Sequence, residues 1–249
     1  MTMMIASSLI NGYLGSNATG QWLVNIQLLA SVVMVAAAIN KWRQFRNARQ
    51  LFKRIAHDIL DNNNDILEYY LARHNNMHSA VENIYTASCE RLLKIFSPNT
   101  RSLLIGQPAA GTKTGAALTA HEAELVKSRC EHVLEEEENA IEYGMGAVSA
   151  VVALAPMLGL LGTVWGVLDA FAEMGAAQTA TISQIAPAIS AALVTTVVGL
   201  LIAIPGVVVY GILSAKKQAL LTDLEGFADD LMGRIANEFQ GSSKVEEEP

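Results

Sequence analysis

Three threonines stand where side-chain oxygen is scarce. Thr163, Thr195 and Thr196 lie within or beside long runs that contain no Asp, Glu, Lys or Arg, 143–168 and 174–215. A hydroxyl in such a setting has two uses. It satisfies itself on a preceding carbonyl of its own helix, or it offers an oxygen ligand to an ion, since hard cations favour oxygen. The similar depth of these threonines in two neighbouring apolar segments favours the second use. Asp169 and Glu173 close the first run; they either attract cations to its mouth or stand as solvated loop charges.

Other spacings carry less. His74 and His78 are four apart, as a helical metal pair requires, but no third ligand accompanies them and they read as surface residues. Residues 106–114, GQPAAGTKT, resemble a phosphate-binding loop, yet Thr112 is inserted before the lysine and no strand precedes it. Nucleotide binding is therefore not expected. Glu135–Glu138 reads as a solvated helix face. No nucleophile–base pair, acidic pair or metal-binding set is discernible, so the chain does not read as an enzyme, and no cofactor is expected. Cys89 and Cys130 are far apart and beside no ligand motif, which argues against a disulfide framework or a zinc site.

The elements that hold these residues follow from charge. Of 249 residues 51% are apolar and 16% charged, with a mean hydropathy of +0.30, against roughly 25% charged in a soluble domain. Residues 1–40 also lack Asp, Glu, Lys and Arg, and all 17 Lys and Arg lie in 41–129 or from 216 onward. The pattern predicts an all-α integral membrane protein whose middle is soluble. A net charge of −7 leaves no dominant basic face for nucleic acid.

Along the chain, residues 1–21 form an outer N-terminal segment and 22–40 a first transmembrane helix bracketed by Trp22 and Trp42. The N-terminus lacks a positively charged n-region, so this span is read as retained. Lys41, Arg43, Arg46, Arg49, Lys53 and Arg54 follow it and place 41–142, a helical region, on the cytoplasmic side. Within that region Asn62–Asn64 marks a turn, and 98–117 is a loop rich in glycine and threonine. Thr119 with Glu122 makes a capping box opening a helix that is predicted to run unbroken from about 120 to 172. The second span is 143–171, an outer loop occupies 172–184, and the third span is 185–213. Lys216 and Lys217 return the chain inside, where 214–249 forms an amphipathic helix over 218–239 and a polar tail. The result is three spans with long helical cytoplasmic extensions, N-terminus out and C-terminus in.

Small residues mark where helices approach. Gly159, Gly162 and Gly166 fall at i, i+3 and i+7 in the second span. Ala188, Ala192, Thr196, Gly199, Ala203 and Gly206 step by three or four in the third. Such flanks let membrane helices pack closely. Pro156 removes a backbone bond and bends the second span; Pro187 and Pro205 shape the two ends of the third.

These residues also carry a family resemblance. LGLLGTVWGVLDAF (158–171) followed by IAPAISAALVTTVVGLLIAIPGVVVY (185–210) resembles the MotA/TolQ/ExbB proton channel family, closest to its ExbB/TolQ branch. The motif match covers about 55 residues; the three-span plan matches in layout. The resemblance implies a bacterial inner-membrane motor subunit that forms a ring, a pentamer, with spans two and three lining a pore. It implies a partner, two copies of a single-span protein similar to ExbD or TolR that carries a membrane aspartate. Ion flow, H⁺ or Na⁺, would move that partner and energise transport or mechanical work at the cell envelope. Thr163 and Thr196 match the family's pore-facing threonines. One departure is marked: where the family carries a glutamate in the third span, this chain has Ala191. Either the partner's aspartate alone titrates, or the threonine oxygens with that aspartate take Na⁺, or the ring is a non-conducting scaffold.

Overall fold

Apolar runs bounded by charge and by glycine should give long helices, and the computed structural model, which describes residues 13–14, 18–61, 66–67, 70, 79–96, 118–177 and 182–239, bears this out. Among the described residues the helices are α1 (Ala18–Asp61), α2 (Ala80–Ile95), α3 (Ala120–Glu142), α4 (Met145–Ala177) and α5 (Ile182–Phe239). The Asn62–Asn64 turn, His74 and His78, the 98–117 loop, the 240–249 tail and most of 1–21 lie outside the described residues. The chain divides into two units, residues 1–43 with 144–215, and residues 44–143 with 216–249.

Among the described residues three helical stretches are long and apolar enough to cross a membrane: Ala18–Ile59, Met145–Gly175 and Ile185–Phe239. Only 22%, 22% and 33% of their most apolar windows are buried within the chain. Core helices of a soluble protein would be buried far more completely. Large apolar side chains such as Leu29, Val32, Leu160, Val164, Ile204 and Val208 are exposed instead, an arrangement suited to lipid.

Two expectations about helix boundaries are corrected. The helix predicted over 120–172 is broken at Tyr143–Gly144 into α3 and α4. Gly144 has φ of +87°, a left-handed conformation that glycine adopts without steric cost. The third span expected over 185–213 and the amphipathic helix expected over 218–239 are one continuous 58-residue helix, α5. No glycine or proline occurs over 212–225, and Lys216, Lys217, Gln218, Ala219, Leu220 and Leu221 are strong helix formers. The helices also extend past the expected span ends, α1 to Asp61 and α4 to Ala177.

In the unit of 44–143 and 216–249, α2 packs along α3. Val81, Ile84, Tyr85, Cys89 and Leu92 are buried on one face of α2; Val126, Cys130, Val133 and Ile141 are buried on α3. Leu220, Leu221, Leu224, Phe227, Leu231 and Ile235 are all 3% exposed or less, each contributing about 1.5–3 kcal/mol by burial. Phe52 meets Phe227 edge to face at 6.4 Å between centroids, and Arg234 donates to the Ile59 carbonyl at 2.7 Å. The α3 capping box forms as its sequence predicts. The Glu122 N–H donates to the Thr119 hydroxyl at 3.3 Å, and the Thr119 N–H donates back to the Glu122 carboxylate at 2.9 Å. Those bonds from the Thr119 backbone and hydroxyl hold the Glu122 carboxyl below its usual range. Both cysteines are free and buried. Burial pushes the Cys89 thiol up to about 12 and raises that of Cys130. Of the Glu135–Glu138 run, Glu136 pairs with His132 at 3.4 Å and Glu137 accepts from Asn83 at 2.6 Å.

Candidate functional site

In the unit of 1–43 and 144–215, α1, α4 and α5 pack around Met34, Val148, Ala155, Ile202 and Ala203. Close approach is made by the small residues. A Cβ on Gly159 would lie 2.9 Å from the Thr196 Cα and 3.0 Å from the Thr195 carbonyl oxygen. One on Gly162 would lie 2.8 Å from the Thr195 Cβ, and one on Gly166 would lie 2.6 Å from the Ala192 Cβ. Gly199 faces the Ala155 carbonyl, and Gly206 faces Val152 and Met34. Both small flanks therefore lie in contact, so backbone atoms of α4 and α5 come within reach of short side chains.

That approach gathers the three threonines. The Thr196 hydroxyl donates to the Gly159 carbonyl at 2.8 Å and stands 3.3 Å from the Thr163 hydroxyl. Thr163 donates to the Leu160 carbonyl at 2.7 Å. Thr195 is 2.7 Å from the Ala192 carbonyl and 3.1 Å from that of Gly159. A hydroxyl has one proton and two lone pairs. With Thr163 donating to Leu160, Thr195 to Ala192 and Thr196 to Gly159, every proton is placed and the hydroxyl oxygens keep acceptor capacity. Four oxygens thus cluster midway along α4 and in the first, apolar half of α5. Thr195 is enclosed at 1% exposure, whereas Thr163 and Thr196 are half-buried.

Ala191 and Ala192 are buried, at 2% and 4% exposure. Ala191 lines a small cavity together with Thr195, Gly166 and Asp169. Gly199 and Ala203 are buried in the packing, Pro156 is half-buried within α4, and Pro187 and Pro205 are exposed within α5. Among the described residues no group of three or more His, Cys, Asp or Glu is placed to hold a metal ion.

Sequence reasoning missed Gln27. It is fully buried, donates from Nε2 to the Ala155 carbonyl at 3.2 Å, and its Oε1 is buried without a hydrogen-bond partner. A side-chain amide inside an apolar span was the available signal, because burying one without partners is costly. Here it ties α1 to α4 at the level where Gly199 closes on Ala155.

Comparison with known proteins bears on the same segment. The model of the MotA/TolQ/ExbB proton channel family matches residues 107–226. The biopolymer transport protein ExbB of Neisseria gonorrhoeae is 40% identical over 97 residues, 39% of this chain and 44% of that protein. ExbB of Xanthomonas campestris pv. campestris is 33% identical over 125 residues, 50% of this chain and 49% of the relative. The Tol-Pal system protein TolQ of Pseudomonas aeruginosa is 37% identical over 94 residues, 38% of this chain and 41% of the relative. The chain thus spans less than half the length of each of these curated relatives.

Proposed function

Over residues 107–226 this chain belongs to the MotA/TolQ/ExbB proton channel family, and from that premise we propose that it is the ion-conducting subunit of an inner-membrane motor. In this reading the chain forms a pentameric ring whose α4 and α5 line a pore. Two copies of a single-span partner similar to ExbD or TolR occupy the pore and contribute a membrane aspartate. Ion flow, of H⁺ or Na⁺, moves the partner and powers transport or mechanical work at the envelope. The N-terminus is periplasmic and the C-terminus cytoplasmic, by the excess of Lys and Arg after the first span.

The observation that carries the proposal is the oxygen cluster at Gly159, Thr163 and Thr196. Oxygen lone pairs in an apolar helix pair are suited to a cation or its water. Thr163 and Thr196 offer theirs on a half-exposed side, while Thr195 is buried against Gly162 where α5 meets α4. A second reading, a non-conducting scaffold, draws on the same hydrogen bonds, because each hydroxyl already has a backbone acceptor.

The two readings separate in one experiment. The full-length protein, purified from native membranes with whatever accompanies it, is weighed by native mass spectrometry and reconstituted into liposomes under H⁺ and Na⁺ gradients. Five copies with two of a small single-span protein, and a flux that Thr196→Val reduces at least tenfold without loss of subunits, are expected. A conducting wild type whose Thr196→Val variant is equally active would refute the threonine-lined path. A ring that never conducts would leave the scaffold.

A further inference from the structure

We propose that Asp169 is a binding carboxylate for a monovalent cation, a proton or a sodium ion, at the cavity it shares with Ala191 and Thr195. The inference rests on the conducting role proposed above and assigns its cation a specific side chain.

The sequence isolates this residue. Asp169 lies within the Met145–Gly175 candidate span and is the one Asp, Glu, Lys, Arg or His over 143–172. A carboxylate inside a membrane helix is costly in either form of accounting, and such residues usually mark ion or proton paths. Asn, Ser or Ala would serve packing at this position without that cost.

The fold then gives the carboxylate a place to work. Asp169 lines a small cavity with Gly162, Trp165 and Gly166 of α4, Ala188, Ala191, Ala192 and Thr195 of α5, and Gly20 of α1. Apart from Trp165 and Asp169 itself the walls are glycine, alanine and threonine, and the space has room for about a single water molecule or ion. Ala191 is essential to that room, because a longer side chain there would fill the cavity from the α5 side. Thr195 joins the cavity to the oxygen cluster, since its hydroxyl reaches the Gly159 carbonyl. Asp169 and Gly159 are ten positions apart on α4, about 15 Å along the helix. The carboxylate and Thr195 thus share the cavity, and the Gly159 carbonyl with the Thr196 and Thr163 hydroxyls lies beyond Thr195. The nearest ionisable neighbour on the same helix is Glu173, one turn on and exposed. Residues 18–40 of α1 and 182–215 of α5 contain no Asp, Glu, Lys, Arg or His.

Carbodiimide labelling tests the site without relying on conduction. N,N′-dicyclohexylcarbodiimide couples to a protonated carboxyl in an apolar setting. Native membranes carrying the full-length chain are treated over a range of pH, and the adduct is located by mass spectrometry. Labelling at Asp169, in large excess over Glu173, is expected. Protection of at least tenfold by added NaCl, but not by choline chloride, at constant pH identifies sodium; equal labelling in both identifies the proton. Absence of an adduct at Asp169 across the pH range overturns the proposal.

Flux in liposomes supplies the second arm. Asp169→Asn should lower flux at least tenfold, and Asp169→Asn with Ala191→Glu should recover a substantial part, because both residues line one cavity, from α4 and from α5. A wild type that conducts with an Asp169→Asn variant that conducts undiminished refutes the role of Asp169. A wild type that never conducts refutes the channel reading, whereas labelling at Asp169 would still stand as a cation site.

Discussion

Adding one methyl group at Gly199 should push two helices apart. A Cβ there would lie 2.5 Å from the Ala155 carbonyl oxygen, 3.3 Å from its carbon and 3.1 Å from the Gln27 Nε2, where ordinary contact begins at 3.4 Å. The first obstacle is backbone, so no rotamer change relieves it. The helices must part by about 1 Å, or the Gln27–Ala155 hydrogen bond must break. Overpacking of this kind costs about 1–3 kcal/mol, and a side-chain hydrogen bond in a membrane protein contributes about 0.6 kcal/mol. Against these, alanine gains about 1 kcal/mol over glycine in helix propensity. Gly199→Ala should therefore destabilise by about 1–2 kcal/mol. Gly146→Ala and Gly211→Ala, where a Cβ meets nothing within 4 Å, should show only the propensity gain. Denaturant titration of the detergent-solubilised protein, followed by helical circular dichroism, measures all three. Equal stability of Gly199→Ala and Gly211→Ala would refute the close approach of α5 to Ala155.

Gln27 should respond to volume more than to polarity. Gln27→Ala leaves a cavity and should cost about 2–3 kcal/mol, whereas Gln27→Leu keeps the volume, removes the unpartnered Oε1 and should stay within about 1 kcal/mol of wild type; the same denaturant titration separates them. The α3 cap is a pH-dependent element. Thr119→Ala should lower stability by about 1 kcal/mol at neutral pH. Because the folded-state pKa of Glu122 is lowered, its contribution is present above its unfolded value and is lost as pH falls through the folded one. The gap between wild type and Glu122→Gln in thermal denaturation should accordingly narrow on acidification, and a gap independent of pH would contradict this assignment.

Much of this protein is local and so was legible in the chain. Charge-free runs locate the membrane-spanning stretches because lipid tolerates no unpaired charge wherever the segment sits in the fold. The Thr119–Glu122 cap involves four consecutive residues and needs no tertiary partner. The buried set Leu220, Leu224, Phe227, Leu231 and Ile235 follows from helical periodicity alone. The small-residue flanks announced that α4 and α5 approach closely, though not which glycine meets which atom.

Tertiary structure decided the rest. Gly144 interrupts a sequence of strong helix formers by taking φ of +87°, and composition on either side does not reveal which glycine does so. Helix propensity is short-ranged, which is why the 212–225 stretch looked like a membrane boundary by charge yet continues one helix. Gln27 acquires meaning only beside Ala155, 128 positions away. Asp169 reads in the sequence as either a cation-attracting or a solvated loop charge; only the packing of α5 shows that it shares a cavity with Ala191 and Thr195. Sequence patterns report what each segment does against a uniform surrounding, such as lipid or water. Which polar atoms share a space inside the packing depends on rotation and register between helices, and only the three-dimensional structure fixes those.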